Sequence, residues 1–289
     1  MVDSTTKTDQ YDLIGAQYEA IKSLPVIKDV ETVTFRKHAL NLLDRGKSRV
    51  LDLACGTGFY SEKLLEWGAA SVTGVDVSTT MVEVARAKAK KSGLDAHGRL
   101  KYFVGDVLNL GVVDGGEYDF VTGVWLLNYA SSREEMAQMY RGIRANLKPD
   151  GLFFGVCEES QEDLDEFVRQ RQLLTEGDRK LFGLETEYTE RLASGDGYVM
   201  MSRAHVPPPH PPFTMKTYHL RRSVYQEAAR AAGLVGRYEM ETMDVPDEVY
   251  RKDKDYWALY PIFTPKFSMI FVAAEDVDST RSLDFVEAA

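Results

Sequence analysis

Three apolar runs in this 289-residue chain each end close to a carboxylate. Asp52 lies in Val50-Leu51-Asp52-Leu53, which leads into Ala54-Cys55-Gly56-Thr57-Gly58. Asp76 closes Val72-Thr73-Gly74-Val75, and Asp106 follows Tyr102-Phe103-Val104-Gly105. Gly56 and Gly58 let the backbone approach a ligand where a side chain would block it. If the runs are parallel strands of an open sheet, the carboxylates share the edge at which such sheets bind ligands. Proton-transfer chemistry has fewer candidates. Glu158 and Glu159 follow a later apolar run, where they can orient a cationic amine, accept a proton or cap the next helix near its positive end. A base at neutral pH is most naturally a histidine. Of the five, His38 falls in a helical stretch and His97 in a polar turn; His205, His210 and His219 fall in one aromatic-rich segment. The catalytic candidates are Glu158, His210 (set among stiff prolines, Pro207 to Pro212) and His219.

Alternating elements are needed to bring these residues together. The pattern predicts strands near 49-54, 71-76, 99-104, 118-124 and 151-157, with helices near 58-67, 79-92 and 132-146. Such alternation implies a parallel sheet covered by helices on both faces, with right-handed crossovers. Ahead of it, Tyr11, Ile14, Tyr18 and Ile21 share one face of a helix over 11-24 that Pro25 ends, and a second helix spans 30-43. After Cys157 the rhythm breaks into a charged helical stretch to Lys180, then strand-like pieces around the prolines. A helix over 222-232 closed by Gly233 and strands over 235-243 and 267-273 complete the chain. Residues 1-9 and the acidic tail read as loose.

With these residues the chain resembles the class I S-adenosylmethionine-dependent methyltransferases, in the small-molecule branch, over about residues 10 to 275. Asp52, Ala54, Gly56 and Gly58 correspond to the first motif of that family, along the methionine part of the cofactor. Asp76, with Val77 and Met81, corresponds to the segment that takes the ribose hydroxyls, and Asp106 with Val107 to the pair that reads the adenine edge. Gly123 falls where the family's backbone passes the methionine portion. Tyr11 and Tyr18 match tyrosines that lie over the cofactor from an N-terminal helix; their spacing alone also fits a plain apolar face. Tyr129, with Trp125, can line the site or the core. Leu147-Lys148-Pro149-Asp150-Gly151 resembles the turn before the fifth strand, with Asp150 where a first glycine is usual. A dinucleotide-binding fingerprint would want glycine at Ser61, and no P-loop Lys-Ser/Thr follows the glycines.

The resemblance implies an α/β, Rossmann-like, doubly wound seven-stranded sheet, mostly parallel, with an antiparallel terminal hairpin and a cap inserted between strands 5 and 6. It divides the chain into N-terminal helices over 1-48, a cofactor-binding core over 49-158, a cap or lid over 159-221, the end of the core over 222-275 and a tail over 276-289. It implies S-adenosyl-L-methionine as cofactor, S-adenosyl-L-homocysteine as product and in-line transfer to an oxygen or nitrogen of a small metabolite. A cofactor-binding protein that does not methylate, and a protein methyltransferase, are the alternatives.

A net charge of -10 argues against a nucleic-acid backbone as partner. The fourth run ends Val124-Trp125-Leu126-Leu127-Asn128-Tyr129 and lacks the Asn/Asp-Pro-Pro-Tyr signature of amino-methylating DNA enzymes. Cys55 and Cys157 make no disulfide framework and no zinc set, which leaves them as buried thiols of a reducing compartment. With no secretory pattern at the N-terminus and no run of about 18 apolar residues, the expectation is a cytoplasmic enzyme off the membrane, monomeric or homodimeric, with no metal.

Overall fold

The computed structural model describes residues 5-95, 97-159, 161-174, 180-263 and 266-275. Its centre is a seven-stranded sheet in the order β3-β2-β1-β4-β5-β10-β9. The strands are β1 Arg49–Leu53, β2 Ser71–Asp76, β3 Leu100–Val104, β4 Tyr118–Val124, β5 Leu147–Glu158, β9 Tyr238–Thr242 and β10 Phe267–Ala273. β1 to β5 pair in parallel, whereas β10 runs antiparallel to both β5 and β9, the expected terminal hairpin. Order reverses beside β1, which sends connections to opposite sides of β1 and β4 and opens a crevice at their C-terminal ends.

Both faces of the sheet are buried. On one, α2 Thr32–Leu42, α3 Phe59–Trp67 and α4 Thr79–Ser92 bring Phe35, Tyr60, Leu64 and Val82 into a shared cluster. On the other, α5 Arg133–Asn146 and α7 Arg222–Ala231 bring in Met136, Tyr140, Ile143 and Tyr225. Helix starts follow capping chemistry. The Ser78 hydroxyl accepts from the Met81 amide at 3.1 Å to open α4, and Ser132 does the same for Glu135 at 3.2 Å in α5. α4 ends at Gly93 in the left-handed conformation (φ +71°).

The segment after β5 holds a short helix, α6 Leu164–Gln172, then β6 Leu184–Arg191, β7 Gly197–Ala204 and β8 Phe213–Leu220. These three strands form a separate antiparallel sheet. In β8 every second residue from Phe213 to His219 is buried, so this sheet has an inward face of its own.

Five details differ from the sequence reading. Helix α1 starts at Thr5 and ends at Ile14, so residues 5-9 are helical; residues 1-4 lie outside the described residues. A 3-10 stretch, Gly15–Ser23, continues from α1, and Pro25 does not end the helical path but opens the wide turn Val26–Glu31 that runs into α2. Proline lacks only an N–H that a first turn leaves unpaired. β5 begins four residues early, because Leu147 pairs with Tyr118 before register jumps to Leu152 opposite Phe120; residues 148-151, expected as a turn ahead of the strand, are an irregular part of it. Three helical turns, α8 Asp247–Tyr250, α9 Lys254–Trp257 and α10 Tyr260–Phe263, fill the link between β9 and β10. Glu275 is held by Arg144 at 3.0 Å rather than loose; the tail 276-289 lies outside the described residues. Among the described residues no helix is long and apolar enough to cross a membrane.

Candidate functional site

At the C-terminal ends of β1, β2 and β4 lies a cavity of about 380 Å³, within the range usual for small-molecule sites. Its floor is the turn after β1, where Ala54, Gly56 and Gly58 all take positive φ (54°, 53° and 82°). The two glycines have different duties. A Cβ on Gly58 would stand 2.3 Å from the Tyr102 hydroxyl, so this position is closed by packing. A Cβ on Gly56 would meet nothing nearer than the Tyr18 ring at 3.8 Å. Gly56 lines the cavity; Gly58 shapes the turn behind it.

The three carboxylates arrive as expected, each already engaged. Asp52 accepts from the Ser61 hydroxyl (2.6 Å) and the Thr122 hydroxyl (2.9 Å), tying β1 to α3 and β4. Burial pushes its carboxyl up to about 6, against those two bonds. Asp76 accepts from the backbone N–H of Gly56 (2.8 Å) and of Ser78 (2.9 Å), so it clamps two turns together. Burial raises its pKa while the backbone bonds oppose the rise. Asp106 caps the 3-10 turn Val107–Asn109 through the Leu108 N–H at 3.0 Å. Val77, Met81 and Val107 stand beside them in the same cavity.

The roof is the N-terminal segment. Tyr11 and Tyr18 meet edge to face with centroids 5.5 Å apart, and the Tyr11 hydroxyl bonds that of Tyr129. The segment is fastened along its length. Glu19 accepts from the Thr57 hydroxyl and pairs with Lys88 at 3.1 Å, Asp12 accepts from the Ser78 hydroxyl, and the Gln10 side chain bonds the backbone of Lys216 in β8. Lys22, on the same face as Tyr18, lies 4.7 Å above the Tyr60 ring and 5.0 Å from that of Phe59. Its ammonium is 3.9 Å from Glu31, a fully buried carboxylate that also accepts from Tyr60 Oη and from Trp125 Nε1, both at 2.6 Å. Burial lowers the Lys22 pKa and raises that of Glu31, each opposed by the partner's charge. Trp125 itself has φ +62°, an unfavourable conformation for a bulky residue at the end of β4.

Tyr11, Tyr18, Lys22, Trp125 and Tyr129 also wall a second cavity of about 40 Å³. Its far side is the inward face of the three-stranded sheet, through Thr186, Ser202, Met215 and Thr217. Asn128 and Glu158 reach it from the ends of β4 and β5.

Of the expected site residues, Gly58 and Gly123 do not line either cavity. Gly123 is packed: a Cβ there would lie 3.0 Å from Leu126 and 3.1 Å from Phe153. His219 is buried away from both. Its Nε2 faces the Glu159 carbonyl at 2.8 Å and its Nδ1 the Tyr188 hydroxyl at 2.9 Å. A carbonyl only accepts, so Nε2 carries the proton and both nitrogens are engaged. Burial draws its pKa down to about 4; it is a neutral structural histidine. His210 is exposed on the proline loop and lines neither cavity. Glu158 alone of the three lines one. Among the described residues, no group of three or more His, Cys, Asp or Glu is placed to hold a metal.

Four participants were missed. Lys22 was within reach of the sequence, being four residues beyond Tyr18 on the same helical face. Thr217 was legible as an inward position of an alternating strand. Glu31 and Asn128 gave no signal, since Val30 before the one and Leu127 and Tyr129 around the other mark only burial.

Residues 50–151 match the family model described as a methyltransferase domain. The matched stretch contains the turn after β1 and all three carboxylates. A ubiquinone biosynthesis O-methyltransferase of Actinobacillus pleuropneumoniae serotype 5b is 34% identical over 106 residues, 37% of this chain and 44% of that protein. The chain thus spans less than half the length of the curated relative it matches. Among solved structures, an S-adenosylmethionine-dependent methyltransferase from Mesorhizobium loti superposes with a TM-score of 0.53 at 18% identity, covering 88% of this chain and 99% of that one. Magnesium protoporphyrin IX methyltransferase from Synechocystis PCC 6803, solved with bound S-adenosylhomocysteine, gives 0.53 at 16% identity over 92% and 98%. These likenesses show that the fold around the matched stretch is the Rossmann-like one.

Proposed function

We propose that the chain is an S-adenosylmethionine-dependent methyltransferase acting on an oxygen or nitrogen of a small molecule. The observation that carries this is the large cavity, with two carboxylates from successive strands, an open Gly56 floor and a roof of aromatic rings and one lysine. The donor set suits the cofactor group by group. Asp76 would take its ribose hydroxyls, Asp106 and Val107 its adenine edge, and Lys22 with Tyr11 and Tyr18 the carboxylate of its amino-acid end. Ala54, Gly56 and the backbone near Val124 leave room for the methionine portion. When bound, S-adenosylmethionine supplies a methyl group on a positively charged sulfur.

What the chain itself does is hold and shield. Fixed orientation of two reactants is worth roughly 7–11 kcal/mol, and the tied-down roof excludes water from the place where charge is neutralised. Glu158, at the end of β5, would accept a hydrogen bond from a hydroxyl or amine head of the acceptor. An oxygen acceptor is supported by the O-methyltransferase name of the Actinobacillus pleuropneumoniae relative. The net charge of -10 disfavours nucleic acid, and two free, buried cysteines suit the cytoplasm.

Calorimetry tests the reading. S-adenosylmethionine and S-adenosylhomocysteine should bind, and NAD and FAD should not. Binding of NAD or FAD instead would move the chain to oxidoreductase chemistry.

A further inference from the structure

Three buried polar residues line the small cavity, and two of them carry an oxygen with no hydrogen-bond partner. Asn128 is 3% exposed, Thr217 3% and Glu158 6%. Asn128 Oδ1 and Thr217 Oγ1 are buried without a hydrogen bond, and all three residues line the cavity. An unpaired buried polar atom costs about 1–3 kcal/mol, and such groups are rare unless they serve a function. The cost falls on two separate elements, the turn after β4 and the middle of β8. The cavity volume of about 40 Å³ has room for roughly three or four water-sized groups, which suits a compact head group.

We propose that this cavity receives the polar head of the methyl acceptor, that Asn128, Glu158 and Thr217 bind it by accepting hydrogen bonds, and that the head is an O–H or N–H donor and not a carboxylate. The proposal rests on the methyltransferase reading for the neighbouring cavity. Of the trio, the unpaired Asn128 amide oxygen can only accept, while the Thr217 hydroxyl and the Glu158 carboxyl can play either part. A carboxylate head would set an oxygen against Asn128 Oδ1 and bring a second acidic group beside Glu158. A hydroxyl or amine turns the mismatch into bonds. The rings of Tyr18, Trp125, Tyr129 and Phe267 wall the rest, so the body behind the head is apolar or aromatic. Burial pushes the Glu158 carboxyl up to about 8, aided by the charge of Glu159. Tyr129, Tyr188 and Tyr225 face it, Cys157 adjoins it, and Lys22, Tyr11 and Tyr18 share its cavity. A largely neutral carboxyl at neutral pH still accepts through its second oxygen.

The test titrates phenol, benzylamine and benzoate into protein saturated with S-adenosylhomocysteine, for the wild type, Glu158→Gln and Thr217→Val. Thermal melting is recorded without ligand. Phenol or benzylamine should bind and benzoate should not; Thr217→Val should weaken the bound probe roughly 10-fold, and Glu158→Gln, whose amide oxygen still accepts, should weaken it less. Phenol against benzylamine separates oxygen from nitrogen heads. Thr217→Val should leave S-adenosylhomocysteine affinity unchanged and keep Tm or raise it by about 2–4 °C, because it removes an unpaired hydroxyl. Equal binding of benzoate, undiminished binding in both variants, no binding of any probe, or a lowered Tm in Thr217→Val would overturn the assignment. Failure of S-adenosylhomocysteine itself to bind would instead bring down the methyltransferase reading on which it rests.

Discussion

In the large cavity the carboxylates are bonded before any ligand arrives; in the small one Asn128 and Thr217 keep unpaired oxygens. Asp52 joins three elements through two hydroxyls, Asp76 clamps two turns through two amides, and Glu31 gathers Lys22, Tyr60 and Trp125. Asn128 and Thr217 face the small cavity with unsatisfied atoms. The first set is part of the framework, so the same residues that would hold a ligand also hold the fold. The second set costs stability, and its recompense comes only from a partner outside the chain. Substitutions should therefore carry opposite signs in the two places.

The largest effect expected is in Glu31→Ala, which strands the Lys22 ammonium behind the roof. Breaking a buried pair from one side costs about 3–5 kcal/mol, to be read as a fall in the denaturant midpoint. A neutral result would sever the framework from the large cavity. The opposite sign is expected in Glu158→Gln. The Glu158 pKa rises from 4.5 to about 8 on folding, so between those values the folded chain keeps a proton that the unfolded chain has released. Stability contributed by the neutral form is complete below 4.5 and is lost as pH rises through about 8. The variant lacks this loss. Its advantage should grow by at most about 1.4 kcal/mol per pH unit across the window, and denaturant melts at several pH values would show a constant gap if Glu158 were not held neutral.

Asp76→Ala should weaken S-adenosylhomocysteine roughly 10- to 100-fold, the worth of one or two bonds to a charged group, and should lower Tm as well because Gly56 and Ser78 lose their acceptor. Lower affinity with an unchanged Tm would show that the carboxylate serves the ligand alone. Gly56→Ala is the mildest, about 1–2 kcal/mol of backbone strain at φ +53°. Its effect on ligand affinity should exceed its effect on folding, since only the Tyr18 ring is near.

The same contrast governs what the sequence made legible. Asp52, Gly56, Asp76 and Asp106 lie in short contiguous runs, where strand, turn and helix fix one another locally, and they fell where expected. The core of the sheet was readable for the same reason: period-2 and period-3.6 patterning marks buried faces directly. The small cavity is assembled from β4, β5 and the three-stranded sheet, whose mutual placement depends on contacts far apart in the chain. His219 shows the limit. Its residue type suggested a base, but its role was decided by Glu159 and Tyr188, 60 and 31 positions away. Gly123 shows another: a glycine at a strand end fits a ligand and a packed neighbour equally well until the neighbour is seen.

The N-terminal segment closes both chambers with a single strip of chain, pinned to α4 and the turn after β1 at one side and to β8 at the other. Tyr11, Tyr18 and Lys22 are common wall to the two. Traffic into either chamber past this strip must therefore part the same fastenings. A ligand passing under this strip on either side would have to loosen shared fastenings, so a substitution as remote as Gln10→Ala should shorten the dwell time of both.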